Sequence, residues 1–438
     1  MTDETGRLPP PLRRKLSYWA ILFLVAAGLC ELASLAVYRW AAGEGFSFSA
    51  VDAHRSRILQ EVDEVEPAPG VTGDETLTAQ VIHPYLGYVV DPARARRRVH
   101  AQGFPRIDAA FAAPRETIVV GVFGGSVAEQ LVDRASPTLA EGLSRAPAFA
   151  GRRISIVSGA LPGYKQPQQA LALAYLQMLG ARFDVVINLD GFNEITLPVV
   201  ENLPRGVFFA YPPGWYLRTV GLHETQVVRE IGTIATMRST RRDLARFARE
   251  SFLRHLVTPN VLWFLIDRRI SASVGRHQRL LGTARTGRFL QAGPRDQRPP
   301  TSDEVFRRSA ELWVRGSQSM EALARARGAP YFHFLQPNQY VEGSKPLSDE
   351  ERHRAYDMGD ASYGPPARRG YPLLIVEGRK LAASGFPFED LTGIFAEETR
   401  TMYSDTCCHL NQAGCDILAQ RIAATIVHGL ARSAGPQP

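Results

Sequence analysis

Four short segments of the sequence carry residues that could act together on an ester bond. Ser126 follows two glycines in GVFGGSVAEQ, Gly163 lies in SGALPGYKQ, Asn193 in DGFNEI, and Asp405 and His409 in YSDTCCHLNQAG. A serine hydroxyl becomes a nucleophile when a histidine takes its proton and a carboxylate orients that histidine. The sequence therefore predicts Ser126, His409 and Asp405 as catalytic residues. The oxyanion hole would consist of the Ser126 and Gly163 N–H groups and the Asn193 side chain.

These segments must be brought together by the elements around them. Short runs rich in β-branched and aromatic residues predict strands, and longer runs between them predict helices. The predicted strands are 117–123, 154–157, 185–189 and 331–335, and the predicted helices are 168–179, 304–327, 412–430 and one from Pro137 onward. Strands alternating with helices predict an α/β fold with a mostly parallel sheet covered on both faces. Because functional residues of such folds gather at the carboxyl ends of the strands, Ser126 and Asn193 are expected on one edge of the sheet.

In this order, the four segments resemble the four sequence blocks of the SGNH hydrolases, a branch of the GDSL esterase and lipase family. The resemblance covers residues 116–430. It implies a three-layer α/β/α fold, a serine esterase activity and an acyl-serine intermediate. Two departures stand out: Asp405 is four residues before His409 where the family usually has three, and Glu194 stands where aspartate is usual. The longer spacing leaves open whether Asp405 orients His409. Glu194 is interpreted as a flanking residue.

Two other interpretations remain open. Gly124, Ser126 and Ala128 fit the G-x-S-x-G motif of α/β-hydrolases loosely, but that fold draws its acid and its histidine from different loops and needs several strands before the serine. Alternatively, the Gly-Gly pair before Ser126 forms an ordinary tight turn, and the domain is a catalytically idle binding subunit of a polymer assembly. The presence of all four blocks favours an enzyme.

The N-terminal region is typical of a membrane anchor. Residues 16–38 contain one charged residue, Glu31, and are long enough to cross a bilayer of roughly 30 Å. Aromatic residues flank both ends of the span, Tyr18 and Trp19 at one end and Tyr38 and Trp40 at the other. The basic cluster at 13–15 favours a cytoplasmic N-terminus and a domain outside the cytoplasm. The alternative is a cleaved signal peptide. Glu31 indicates a partner helix, a polar lipid contact or a position near the outer leaflet.

Composition narrows the classes of partner and cofactor. The 438 residues carry 51 basic and 44 acidic side chains, giving a net charge of +7, without a basic patch that interleaves aromatic residues. Nucleic-acid binding is therefore not expected. The sequence shows no Walker loop, no dinucleotide fingerprint and no pair of metal-ligand motifs, so neither a cofactor nor a metal is predicted. Of the four cysteines, Cys407 or Cys408 is expected to be able to form a disulfide with Cys415 outside the cytoplasm.

The chain is thus expected to have five parts. They are a cytoplasmic N-terminus (1–15), a transmembrane anchor (16–38), a connecting region (39–115), a catalytic domain (116–430) with a helical insertion at about 198–300, and a tail (431–438). The arginines of the insertion could face lipid headgroups or an anionic polymer, although a solvated helix face is the simpler interpretation. The aromatic stretch 207–217 is either a wall for an acyl chain or sugar ring, or lid packing. His333 is interpreted as a buried core residue.

The expected substrates are acyl esters, above all O-acetyl groups of cell-surface carbohydrate. The alternative activity is that of a surface-polysaccharide O-acyltransferase. A membrane protein is a further possible partner.

Overall fold

A computed structural model describes residues 10–60, 79–95, 97–215, 218, 225–283, 299–360 and 362–433. Several expected segments lie partly outside these residues: the N-terminus before residue 10, residues 61–78 of the connecting region, residues 216–217, 219–224 and 284–298 of the helical insertion, and the end of the tail. The chain divides into two compact units, Met1–Val65 with Thr225–Ala284 and Glu66–Glu224 with Arg285–Pro438. The part of the predicted helical insertion from Thr225 to Ala284 therefore belongs to the same unit as the N-terminal helix, whereas 198–224 and 285–300 belong to the second unit.

The elements are numbered in chain order within the described residues. The strands are β1 (Gln80–His83), β2 (Gly87–Val90), β3 (Ile118–Gly124), β4 (Ile154–Ser158), β5 (Val185–Asp190), β6 (Tyr331–Leu335) and β7 (Phe388–Asp390). The helices are α1 (Pro10–Ala42), α2 (Phe48–Gln60), α3 (Asp108–Ala112), α4 (Ser126–Leu143), α5 (Gln168–Met178), α6 (Phe192–Leu197), α7 (Thr225–Glu250), α8 (Val257–Thr283), α9 (Ser302–Arg325), α10 (Asp349–Arg354), α11 (Gly364–Ala383) and α12 (Gln412–Ser433).

The first unit consists of α1, α2, α7 and α8. Within α1, Ser17–Ala42 is long and apolar enough to cross a membrane by its length and composition. The carboxylate of Glu31 accepts the backbone N–H groups of Val257 (2.5 Å) and Thr258 (2.9 Å), and the Ser34 hydroxyl donates to that of Thr258 (3.0 Å). These are the first residues of α8, whose N–H groups have no partner within the helix. The polar partner expected for Glu31 is thus a helix of the same chain.

The C-terminal end of α1 differs from the expected aromatic belt. Tyr38 is 3% exposed, and its ring packs 5.2 Å from that of Phe46 and 4.9 Å from that of Phe264. Trp40 is 87% exposed. The expectation for Tyr38 is wrong, because α8 covers this face of α1 and brings an aromatic residue against the ring.

The second unit is an α/β fold built on a five-stranded parallel sheet with the strand order β4-β3-β5-β6-β7. The predicted parallel sheet is confirmed, and each of the four predicted strands lies within one residue of its observed bounds. Alternate residues of β3 enter two different apolar cores. Val120 and Val122 pack in one core with α4 and α12, whereas Val119 and Phe123 pack in the other with α5. Side chains of successive strand residues point to opposite faces, so both faces of the sheet are covered.

Residues before β3 also belong to this second unit. The antiparallel pair β1–β2 brings Tyr88 and Val90 into the core that contains Phe123. The region 39–115, expected as a connector, therefore supplies α2 to one unit and core residues to the other.

The helix after β3 begins earlier than predicted. It starts at Ser126 and continues through Pro137, with non-helical backbone angles at Ala135 (φ −123°, ψ 16°). A proline lacks the N–H of a regular helix and usually stands at a helix start, so the sequence favoured a start at Pro137. The kink at Ala135 accommodates the ring, and the chain is helical on both sides of it, from Ser126 to Leu143.

Candidate active site

Ser126 is the first residue of α4, at the carboxyl end of β3. Gly125 precedes it as the N-terminal cap in an extended conformation (φ −92°, ψ −152°). The first N–H groups of an α-helix have no intrahelical acceptor, and the helix dipole is positive at this end. Ser126 is half-buried, and the structure therefore presents its hydroxyl beside N–H groups that favour a developing negative charge.

Three side chains form a continuous hydrogen-bonded chain at this point. His409 Nε2 lies 2.7 Å from Ser126 Oγ, and His409 Nδ1 lies 2.5 Å from Asp405 Oδ2. The side chains of His409 and Asp405 are 18% and 19% exposed. The sequence places Ser126 and His409 283 residues apart, so the sheet and α12 together bring them into contact. This is the arrangement in which a histidine can take the serine proton while a carboxylate fixes its tautomer.

The four-residue spacing between Asp405 and His409 is accommodated by a turn that the aspartate itself organises. Asp405 Oδ1 accepts the backbone N–H groups of Cys407 (3.0 Å), Cys408 (3.2 Å) and His409 (3.3 Å). The other oxygen thereby remains directed at the imidazole. Burial on its own raises the pKa of Asp405, but the hydrogen bond from His409 and these N–H groups bring it below the ordinary value. The carboxylate form is therefore the stable one.

Residues outside the four blocks hold this turn in place. Gln339 Nε2 donates to the Asp405 carbonyl (3.0 Å), and the Tyr340 hydroxyl donates to the Thr406 carbonyl (2.6 Å). Just upstream, Glu351 Oε1 accepts the N–H groups of Met402 (2.8 Å) and Tyr403 (3.0 Å). Its other oxygen pairs with the buried ammonium of Lys345 at 2.9 Å. Sequence reasoning missed these residues because the loop 336–348 and α10, on which they lie, carry no motif of their own.

The predicted oxyanion residues meet at the same edge of the sheet. Asn193 Nδ2 donates to the Tyr164 carbonyl (2.9 Å) and lies so close to Gly125 that a Cβ built there would be 2.2 Å away. Gly163 has φ +79°, and a Cβ on it would lie 2.8 Å from the Tyr88 hydroxyl. An amide nitrogen carries two hydrogens, and the bond to Tyr164 uses one of them. The structure thus gathers the Asn193 amide, the loop of Gly163 and the backbone of Ser126.

Glu194 is more than a flanking residue. It is buried, and its carboxylate accepts the N–H groups of Gly191 (2.9 Å) and Gln166 (3.2 Å) and the side chain of Gln169 (2.9 Å). It therefore caps α6, which carries Asn193, and joins it to the loop that carries Gly163. An aspartate would be one methylene shorter at a position that spans these two loops.

The aromatic stretch borders the site as far as it is described, up to residue 215 and at 218. Pro213 lies against Gly163, 3.0 Å from a Cβ built there. Lys165 Nζ donates to the Phe209 carbonyl (2.8 Å). Asn202 Nδ2 donates to the carbonyls of Phe208 (3.0 Å) and Tyr211 (2.9 Å). Burial lowers the pKa of Lys165 to about 7. The stretch is thus a structured wall next to the predicted oxyanion hole.

The cysteines are placed differently from the expected bridge. All four are free, and Cys415 Sγ lies 3.8 Å from Gln130 Oε1 at the start of α12. The sulfurs of Cys407 and Cys408 are 3.3 Å apart, and the bridge to Cys415 that the sequence allows is not formed in the structure. Cys407, Cys408 and His409 offer ligand atoms within 4.8 Å of one another. Both ring nitrogens of His409 are already engaged, and a soft metal ion would have to displace Ser126 or Asp405.

His333 lies on β6, an interior strand of the sheet. It is fully buried, with Nε2 2.9 Å from Asp190 Oδ1 and Nδ1 2.8 Å from the Ser317 hydroxyl. The Trp313 indole donates to the same Asp190 oxygen (2.6 Å). This is a satisfied core network, as the sequence indicated.

No family model matches the chain, and no curated protein matches it.

Proposed function

We propose that the second unit is a serine esterase of the SGNH type. The observation that carries this proposal is the chain of hydrogen bonds from Asp405 through His409 to Ser126 at the N-terminus of α4. A buried histidine between a carboxylate and a hydroxyl is also found in structural networks such as that of His333. At Ser126, however, the side chain is half-buried and belongs to the first residue of α4, where helix N–H groups have no intrahelical acceptor, and a purely structural network does not require this position.

The geometry supports an acyl-enzyme mechanism. Ser126 Oγ attacks the ester carbonyl while His409 Nε2 takes its proton. The N–H groups of Ser126 and Gly163 and the Asn193 amide stabilise the tetrahedral oxyanion. The imidazolium then protonates the leaving alcohol, and the acyl group remains on Ser126. Water or an acceptor hydroxyl, deprotonated by His409, attacks the acyl-serine and restores the free hydroxyl.

The proposed setting is the outer side of a membrane. Support comes from the apolar helix Ser17–Ala42 and from the basic cluster at 13–15 that precedes it. An enzyme anchored there meets cell-surface glycans, so O-acetyl groups of carbohydrate are the proposed substrates. The wall at 207–215 offers rings of the kind that stack on sugars, with the rings of Phe208 and Tyr211 5.5 Å apart.

The test uses the full-length chain in lipid nanodiscs with p-nitrophenyl acetate, with and without an oligosaccharide acceptor. Ser126→Ala should lower turnover by about 10⁶-fold, as loss of a triad nucleophile does. Ser144→Ala, on the exposed end of the same helix, is the control and should retain the parent rate. Loss of ester without an acylated acceptor identifies a hydrolase, and an acylated acceptor identifies a transferase. Parent-like turnover by Ser126→Ala, or no turnover by the parent, would refute the proposal.

A further inference from the structure

The depth of Glu31 in the bilayer indicates where part of the helical insertion lies relative to the membrane. Glu31 lies 16 residues after Lys15, the last of the basic cluster, which corresponds to about 24 Å along a helix. The hydrocarbon core of a bilayer is roughly 30 Å thick, and a lysine at its inner edge extends its ammonium toward the headgroups. If α1 crosses the bilayer as proposed above, Glu31 lies close to the outer boundary of the hydrocarbon.

One end of the helical insertion lies at the same depth as Glu31. Its two helices run antiparallel, because Arg241 on α7 pairs with Asp267 on α8 (2.6 Å), whereas Glu230, earlier on α7, pairs with His277, later on α8. The hydrogen bonds of Glu31 to Val257 and Thr258 fix the beginning of α8 at the level of Glu31. The hairpin tip comprises residues 247–256, which are the last turn of α7 and the segment that joins α7 to α8. The hairpin tip must therefore lie at the outer boundary of the bilayer.

The surface of the hairpin tip suits this position. Phe247 is 64% exposed, Phe252 77% and Leu256 43%, and Arg254 and His255 lie exposed among them. Three large apolar side chains on one short segment are costly in water and favourable in the acyl region. Exposed basic side chains between them match anionic headgroups, which is the pattern of interfacial membrane segments.

We propose that the hairpin tip is a lipid-binding surface whose apolar side chains enter the outer leaflet and whose Arg254 and His255 contact anionic phospholipid headgroups. The first unit is then held at the membrane by two attachments, the spanning helix and the hairpin tip. The carboxylate of the glutamate that joins them accepts hydrogen bonds from helix N–H groups of the same chain.

The experiment measures the depth of a fluorescent probe in vesicles of phosphatidylcholine and phosphatidylglycerol. The full-length chain carries one cysteine at a time, labelled with the nitrobenzoxadiazole fluorophore, while the other native cysteines are replaced by serine. The tested position is Phe252→Cys. Thr236→Cys is the matched control, because it is also exposed on α7 but about 21 Å from the last residue of that helix. Native Cys30, exposed on α1 beside Glu31, is the membrane reference.

At position 252, quenching by aqueous iodide should be several-fold weaker than at position 236, and quenching by lipid with a nitroxide at acyl carbon 5 several-fold stronger. Equal iodide quenching at 252 and 236, with lipid quenching at Cys30, would overturn this inference alone and assign the hairpin tip to a protein partner. Absence of lipid quenching at Cys30 would overturn the membrane anchor of the proposed function, and this inference with it.

Discussion

Replacing Asp405 by asparagine tests the site most sharply, because the structure dictates how the new amide must be oriented. Asp405 Oδ1 accepts three backbone N–H groups. An asparagine keeps these bonds only if its oxygen takes that place. Its NH₂ group is then directed at His409 Nδ1, where Oδ2 now lies at 2.5 Å. A donor at this point forces Nδ1 to be an acceptor, so the ring proton moves to Nε2 and the histidine can no longer accept the proton of Ser126.

The expected loss follows from this wrong tautomer. In serine hydrolases with the same constellation, such a change lowers turnover about 10⁴-fold. At about 1.4 kcal/mol per tenfold, this corresponds to about 5 kcal/mol of transition-state stabilisation. Because the turn keeps its hydrogen bonds, the melting temperature of Asp405→Asn should remain near that of the parent. Asp405→Ala removes the acceptor as well and should be both inactive and less stable.

The assay is kcat/KM for p-nitrophenyl acetate together with a thermal melt of each variant. Asp303→Asn is the control, since Asp303 is 75% exposed and its partner is Arg369 on the surface. Parent-like activity of Asp405→Asn would show that another group orients His409. An equally low melting temperature for Asp405→Asn and Asp405→Ala would refute the orientation imposed by the turn.

Four further outcomes are expected. Asn193→Ala should lower kcat by about 10²–10³-fold with little change in KM, and an unchanged kcat would remove it from the oxyanion hole. For Glu351, burial raises the pKa but the surrounding hydrogen bonds lower it below 4.5, so its carboxylate stabilises the fold fully above that pH and progressively less as the pH falls through the lowered pKa. Glu351→Gln should therefore cost about 3–5 kcal/mol at pH 7 and melt with less dependence on pH below 4.5 than the parent, and equal melts at pH 7 would contradict this. Oxidised glutathione should join Cys407 to Cys408, with loss of two hydrogens from the peptide carrying both, whereas a bridge to Cys415 detected by mass spectrometry would contradict the structure. A reporter enzyme that works only outside the cytoplasm should be active when fused to the C-terminus, and activity of a cytoplasmic reporter alone would reverse the orientation.

Local sequence patterns predicted most strands of the parallel sheet and the proximity of the residues in the four blocks. The strand at 331–335 matches its observed bounds, because a run of buried aromatic and apolar residues leaves little choice of element. Ser126 and Asn193 each follow such a strand, and parallel strands end at one edge, so their proximity could be expected. The turn at Asp405 could not be predicted, because its shape depends on backbone hydrogen bonds that the spacing alone does not specify.

Contacts between distant segments escaped prediction for a related reason. The partner of Glu31 lies 226 residues further along the chain, and nothing near Glu31 indicates it. The burial of Tyr38 depends on the same helix. Beside the candidate active site, Glu351 contacts Met402, which lies 51 residues further along the chain. Such contacts arise from the packing of whole elements, which sequence periodicity does not determine.

The shared unit of anchor and insertion also bears on how a water-soluble form of this protein should be prepared. Removing residues before about 40, the usual way to release an anchored enzyme, would delete Tyr38 and Glu31. It would uncover Phe264 and leave the first N–H groups of α8 without their acceptor. The truncated chain should then aggregate through the insertion even though its second unit is intact. Deleting 225–283 together with the anchor, and closing the gap with a short flexible linker, removes both halves of the interface at once.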